Sequence, residues 1–249
     1  MENREILAAY AYRYQGGWHR IRSAVMKNES PCRYIIKEKY ITILDKEYPS
    51  CLLQLKYPPW ILFYEGDVSL LNMPAVTIVG SRITDAYGMR CAALASEILS
   101  KKYALVSGLA KGIDACVHET ALKYGKTIAV IGSGLGTKYP KENTYLYEKI
   151  RRNGLILSEY PYSVGVRKDH FPWRNRILAA LGEKLIVCEG KERSGTMLTV
   201  NEALELNRDI YCFPYPFEYE NGTGCNRLIA EGAMILYERS QLTDMLHCR

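Results

Sequence analysis

Four times along this chain an apolar, strand-like run stops at a glycine-containing loop and gives way to a helical pattern. The segments are Val76–Arg82 (VTIVGSR), Leu105–Asp114 (LVSGLAKGID), Ile128–Gly136 (IAVIGSGLG) and Leu185–Thr196 (LIVCEGKERSGT). Short apolar runs without polar alternation read as strands buried on both faces, the mark of a parallel sheet. Right-handed crossovers gather the C-terminal ends of such strands along one edge. Glycines there bring backbone N–H groups close to a ligand, and helix N-termini favour anions. The expected ligand of that edge carries phosphate.

Strands are expected near 76–80, 104–107, 128–132, 155–158, 185–189 and 210–213, with Ile61–Tyr64 before them. Helices are expected near 86–100, 114–124, 143–152, 174–181, 197–207 and 225–231, with a short one over Ser240–His247. Regular strand–helix alternation predicts an α/β, doubly wound, mostly parallel sheet. Residues 1–44 read as a short helical N-terminal appendage, with Ile6–Tyr14 and Trp18–Met26 at helical spacing, and residues 45–249 as the main domain.

With 249 residues and a 48% hydrophobic fraction, the chain has enough material for a packed α/β core. No apolar stretch reaches the roughly 18 residues of a membrane span, and the N-terminus lacks a signal-peptide core. A cytoplasmic protein without membrane association is expected. The eight cysteines include no C-x-x-C pair, so buried free thiols are favoured over zinc ligation or disulfides.

The net charge of +6 is unevenly placed: Lys138–Arg176 holds nine Lys or Arg against four Asp or Glu. Such clustering marks a polyanion site or a solvated face, and its position directly after a glycine loop favours the polyanion. Within it, Lys168-Asp-His-Phe171-Pro-Trp-Arg174-Asn175-Arg176 combines cations with aromatic rings, as needed to grip a sugar–phosphate backbone while stacking a base. Arg174 and Arg176 fall in the first turn of the predicted helix, a placement that makes sense for cations facing an anion. Phe171 stacks a base or simply packs, and Trp173 is assigned to packing. Ser81 and Arg82 place a hydroxyl and a guanidinium just after the first core strand, where Arg matches phosphate geometry. Gly108 opens the second loop. Ser194, Gly195 and Thr196 open a helix, where capping and anion binding use the same N–H groups.

Ordinary nucleotide motifs fit poorly. Gly125-Lys126-Thr127 lacks the P-loop's earlier glycine and precedes a strand instead of a helix. Gly132-Ser133-Gly134-Leu135-Gly136 carries its third glycine one position early for a dinucleotide fingerprint, leaving a generic phosphate-facing loop; Glu159 stands where a ribose ligand would be sought. Asp114 and His118, four apart on a helix, are assigned structural roles because no further ligands cluster with them. No cofactor and no metal are expected.

In order, VGSR, Tyr87-Gly88, SGLAKGIDACVHETAL, TIAVIGSGLGTKYPKEN, GLILSEYP, FPWRNRILAAL, SGTMLTVNEAL and GCNRLIAEGAMI resemble the DNA-processing protein A family, also called Smf. The resemblance runs from about Tyr48 to Leu236. It implies an extended Rossmann-like fold that binds single-stranded DNA, dimerises, protects incoming strands in natural transformation and helps load the RecA recombinase. Carried over by residue, it implies DNA contacts from Arg82, Lys168, Phe171, Arg174 and Asn175, with Lys141 and Ser194–Thr196 beside them. The sequence departs from the family at Pro214-Tyr215, where Pro-Gly is usual, and at Val117-His118, where Ala-His is usual. The family's N-terminal helical domain is expected to be shortened here, and no winged-helix domain is expected after Leu236. The alternative is a nucleotide-binding or nucleotide-hydrolysing enzyme resembling the phosphoribohydrolases. Their P-G-G-x-G-T-x-x-E loop ends in a carboxylate, but here Gly195-Thr196 leads into Met197, Leu198 and Thr199. General acid–base work lacks its acid at that position, so a non-enzymatic role is expected.

Overall fold

A computed structural model describes residues 1 to 247. Two helices come first, α1 (Asn3–Arg13) and α2 (Trp18–Met26), followed by strands β1 (Lys39–Thr42) and β2 (Ile61–Gly66). The alternating part then runs β3 (Ala75–Val79), α3 (Ala86–Leu99), β4 (Ala104–Ser107), α4 (Ile113–Tyr124), β5 (Lys126–Ile131), α5 (Thr144–Asn153) and β6 (Leu155–Ser158). It continues with α6 (His170–Leu181), β7 (Lys184–Val187), α7 (Gly195–Glu205), β8 (Asp209–Cys212), α8 (Thr223–Ala230), β9 (Met234–Ile235) and α9 (Arg239–Asp244).

The nine strands form one sheet in the order β1-β2-β6-β5-β4-β3-β7-β8-β9. From β6 to β9 all neighbours are parallel, whereas β2 pairs antiparallel with β6, and β1 antiparallel with β2. The strand order reverses between β3 and β7, so this is the doubly wound, mostly parallel, Rossmann-like sheet expected. The central strands are buried along their length, as their unbroken apolar runs require. Their few polar side chains are satisfied internally. Thr77 Oγ1 donates to the Leu178 carbonyl at 2.6 Å, Ser107 Oγ to Ile78 at 2.7 Å, and Ser158 Oγ to Ser133 at 2.7 Å.

The N-terminal helices lie against this sheet. Leu7, Tyr10 and Ile21 are buried in one cluster with Phe63, Ala129, Ile131 and Tyr147. The segment read as a helical appendage also supplies β1, whose half-exposed Lys-Tyr-Ile-Thr lacks the apolar run that marks the central strands. Five cysteines (Cys91, Cys116, Cys188, Cys212 and Cys225) are buried free thiols.

One boundary matters for function. The helix expected from 174 begins at His170, four residues earlier, and includes Pro172 in its first turn. A proline there costs no hydrogen bond, because the first N–H groups of a helix have no intrahelical acceptor. Arg174 and Arg176 therefore sit beyond the first turn, and both are buried. The notion that they face an anion from the helix tip does not hold.

Candidate nucleic-acid interface

The loops leaving β3, β4 and β5 converge with the start of α6 around a recess of about 500 Å³ of atom-free space, open to solvent. Arg82, Gly108, Lys111, Gly132, Tyr139, Phe171 and Arg174 contribute to its lining. Two glycines make this convergence possible. Gly112 has φ +72°, a left-handed conformation, and an added Cβ would lie 2.4 Å from the Ser81 carbonyl oxygen. It brings the start of α4 against the Ser81-Arg82 backbone, where Ile113 N–H donates to Ser81 O at 3.2 Å. At Gly108 an added Cβ would lie 2.4 Å from Arg174 Nη1.

Arg174 is the electrostatic centre. It is only 5% exposed. Its Nη1 donates to the carbonyls of Gly108, at 2.9 Å, and Val130, tying the ends of β4 and β5 to α6. Its Nε has no hydrogen-bond partner. Burial pulls the guanidinium down to about 10, against the opposing pull of the Asp114 carboxylate, so it stays charged at neutral pH. Asp114 is itself raised by burial and drawn down by Arg174 and the Ala110 N–H. Neutral carbonyls thus satisfy the guanidinium's geometry but leave its charge incompletely balanced, and an anion in the recess would complete it.

Above this fixed charge lies an aromatic and cationic rim. The Arg82 guanidinium carbon is 5.3 Å from the centroid of the Phe171 ring, and the Tyr139 ring is 5.7 Å from it. Arg82 is exposed and has no carboxylate partner among the described residues. Lys111 is paired with Glu142 at 2.5 Å, at a solvated site where such a pair contributes little. The ionisable groups of the lining are Arg82, Lys111, Tyr139 and Arg174, with no carboxylate or imidazole among the described residues. The arrangement offers a buried cation, an exposed cation and a ring face, which together match a phosphodiester with its base.

The structure thus gathers Arg82, Gly108, Phe171 and Arg174 of the residues singled out in the sequence. Ser81 does not reach the recess lining, because its hydroxyl is bound to the Ile83 carbonyl. Lys141 lies on an exposed 3-10 turn, and Lys168 is exposed in the loop before α6; both are outside the lining. Asn175 is buried, and its amide donates to Gly195 O at 3.3 Å, joining α6 to the start of α7. Ser194 donates to Lys191 O at 2.8 Å and, with Gly195 and Thr196, forms a separate group after β7. Lys111 and Tyr139 were not singled out, although both lie in motifs carrying the family resemblance, AKG and KYP.

Other expectations need correction. The Gly134 and Gly136 N–H groups donate to Val164 O at 2.8 Å and Tyr162 O at 3.0 Å. Those donors are occupied by the chain itself, so Gly134 and Gly136 serve close loop packing, whereas Gly132 of the same loop lines the recess. Arg176 forms a buried ion pair with Glu159 at 2.6 Å, with side chains 3% and 4% exposed. Glu159 is accordingly no ribose ligand. His118, as expected of a structural residue, is fully buried with Nδ1 2.7 Å from Thr127 Oγ1. No group of three or more metal-ligating side chains occurs among the described residues, and none of their helices is long and apolar enough to cross a membrane.

Comparison with known proteins agrees with this architecture. The DNA processing protein DprA of Streptococcus pneumoniae is 43% identical over 196 residues, 78% of this chain and 70% of that protein. Protein Smf of Synechocystis is 39% identical over 214 residues, 84% of this chain and 54% of that protein. The X-ray structure of the Streptococcus pneumoniae protein superposes with a TM-score of 0.82 at 34% identity, covering 96% of this chain and 92% of that one. A structure reporting the single-stranded DNA binding mode of DNA processing protein A from Helicobacter pylori superposes with a TM-score of 0.77 at 30% identity, covering 85% of this chain and 97% of that one. The profile of the family described as DNA recombination-mediator protein A matches residues 39–247, and the chain belongs to that family.

Proposed function

We propose that this chain binds single-stranded DNA as a non-enzymatic mediator of recombination. The recess formed by Arg82, Phe171 and Arg174 carries the reading, because it joins a buried cation to a ring face beside a second cation without a carboxylate partner among the described residues. A single strand exposes both phosphate and base to such a site, whereas a duplex keeps its bases stacked inside. Arg82 and Arg174 attract the phosphate, Phe171 and Tyr139 face the base, and Gly108 leaves room for the Arg174 guanidinium. Lys168, Lys141, Asn175 and Ser194–Thr196 are proposed to extend contact along the strand beyond the recess.

The wider role follows from family membership. The protein is proposed to act in the cytoplasm, as a homodimer, protecting incoming strands and handing them to the RecA recombinase during transformation or recombination. Nucleotide hydrolysis is disfavoured by a recess lining without a carboxylate or imidazole to serve as acid or base. Titration of single- and double-stranded oligonucleotides over a salt series tests the proposal. Tighter binding to the single strand, weakening steeply with salt, is expected. Preference for duplex, or release of free base from a nucleoside monophosphate, would overturn it.

A further inference from the structure

On the other side of the α6 start lies a larger cleft of about 910 Å³ of atom-free space. Its walls are the turn between α1 and α2, His19 and Arg20 in the first turn of α2, and Arg167, Asp169, His170 and Trp173. Phe171 of the first recess and Trp173 of this cleft are two residues apart on one helix, so they point about 200° apart around its axis. The two cavities meet at adjacent residues, His170 of the cleft and Phe171 of the recess, while the exposed Lys168 sits at the cleft's edge between Arg167 and Asp169.

The cleft is built around a fixed aromatic platform. The His19 ring lies 5.4 Å from Tyr57 and 5.9 Å from Trp173, and Tyr57 lies 5.5 Å from Trp173. Arg176 underlies Trp173 with its guanidinium carbon 4.3 Å from the ring. Trp18 is anchored by its Nε1–H to Pro58 O at 2.7 Å. At the floor, Tyr160 stacks on His170 at 3.8 Å. The Gly132 carbonyl accepts from His170 Nδ1–H at 3.1 Å, so the same imidazole supports the lining of the first recess. Of the charges here, Arg167 and Asp169 pair with each other at 3.1 Å, whereas Arg20 is exposed and has no carboxylate partner among the described residues.

Resting on the single-stranded-DNA reading, we propose that this cleft is a second nucleotide site on the same strand. A strand leaving Phe171 rounds the start of α6 into the cleft, where a base meets the His19–Trp173 platform and its phosphate meets Arg20. Ring faces accept any base, and an unpaired guanidinium accepts a phosphate without first breaking an ion pair. The N-terminal helices thereby become part of the binding surface instead of a packing accessory.

Oligothymidines of about 4 to 12 nucleotides, a span typical of single-strand sites, provide the test against the full chain and its His19→Ala/Arg20→Ala variant. Both side chains are exposed, but His19 also touches Tyr57 and Trp173, so a small drop in thermal midpoint is expected and binding is compared well below both midpoints. Wild-type affinity should rise again once the oligonucleotide is long enough to enter the cleft. The variant should bind the longest oligonucleotides about five- to tenfold more weakly, lose about 0.7 of salt slope on them, and bind the shortest like wild type. Equal binding of the longest oligonucleotides, or equal loss at every length, would overturn the proposal. If Arg82→Ala leaves every length unaffected while the variant weakens the long ones, the first-recess assignment falls and the cleft stands. If the wild-type chain binds none of them, both fall.

Discussion

Arg82 and Phe171 touch the same proposed nucleotide through different physics, and a salt titration of their variants separates the two. Removing a stacking ring is worth about 1–3 kcal/mol per base, so Phe171→Ala should weaken oligothymidine binding about 5- to 150-fold. Stacking releases no counterions, so the slope of log affinity against log salt should be unchanged. Arg82→Ala removes one exposed phosphate-facing charge, and for a single strand the slope should shrink by about 0.7. The guanidinium sits 5.3 Å over the ring, so the two losses should not add. A cation–π contact of about 0.5–1 kcal/mol at an exposed site sets the expected coupling in the double variant. Fluorescence anisotropy between about 50 and about 200 mM salt resolves all three quantities. Wild-type affinity in Phe171→Ala, or an equal loss of slope in both single variants, would refute this division of labour.

Gly108→Ala should displace Arg174 from both carbonyls; at about 1.5–3 kcal/mol per charged hydrogen bond it should lower the urea midpoint and oligothymidine affinity together. Gly165→Ala is the matched control, since its added Cβ meets nothing within 4 Å and should change neither. Arg176→Ala strands a buried Glu159 that already has one oxygen without a partner, and should cost about 3–5 kcal/mol in urea unfolding. Its salt slope for DNA should match wild type, and a lowered slope would return Arg176 to the binding surface. His118 is held neutral by burial with its value near 3, below its ordinary 6.5, so the unfolded chain binds the extra proton between those values. Stability should therefore fall by up to about 1.4 kcal/mol per pH unit as pH drops through that window. Asp114, shifted upward by burial, acts in the opposite sense, so the comparison is with His118→Asn, whose acid-side slope should be shallower.

Six of the parallel strands were legible because burial on both faces leaves an apolar run, closed in four of them by a glycine loop. Gly108 and Arg82 followed from position alone. The environment of Arg174 and Arg176 did not, because a buried cation and a surface cation are spelled alike. What buries them is distant in the chain: the Gly108 and Val130 carbonyls for Arg174, and Glu159 with the Tyr57 carbonyl for Arg176. Pro172 obscured the start of α6, since only its helical register shows that it occupies the first turn. The GSGLG loop misled in part for a similar reason: Gly134 and Gly136 accommodate the 161–164 segment, a partner that spacing does not reveal, and of its glycines only Gly132 reaches the recess. Strand β1, Lys-Tyr-Ile-Thr, is half exposed and lacks an apolar run, and β9 has only two residues, so neither leaves a readable pattern.

The antiparallel strands at one end of the sheet impose an order on assembly. Phe63 of β2 pairs with Ser158 of β6, so the first strands made must wait for a partner synthesised much later. At ordinary translation rates that delay is roughly 5 to 20 s. Throughout it, Ile61, Leu62 and Phe63, all fully buried in the finished protein, have only β1 and the two N-terminal helices for cover. A nascent chain stalled in this interval presents an apolar strand edge to its neighbours, which makes the N-terminal hairpin the point where crowded synthesis turns most readily into aggregation.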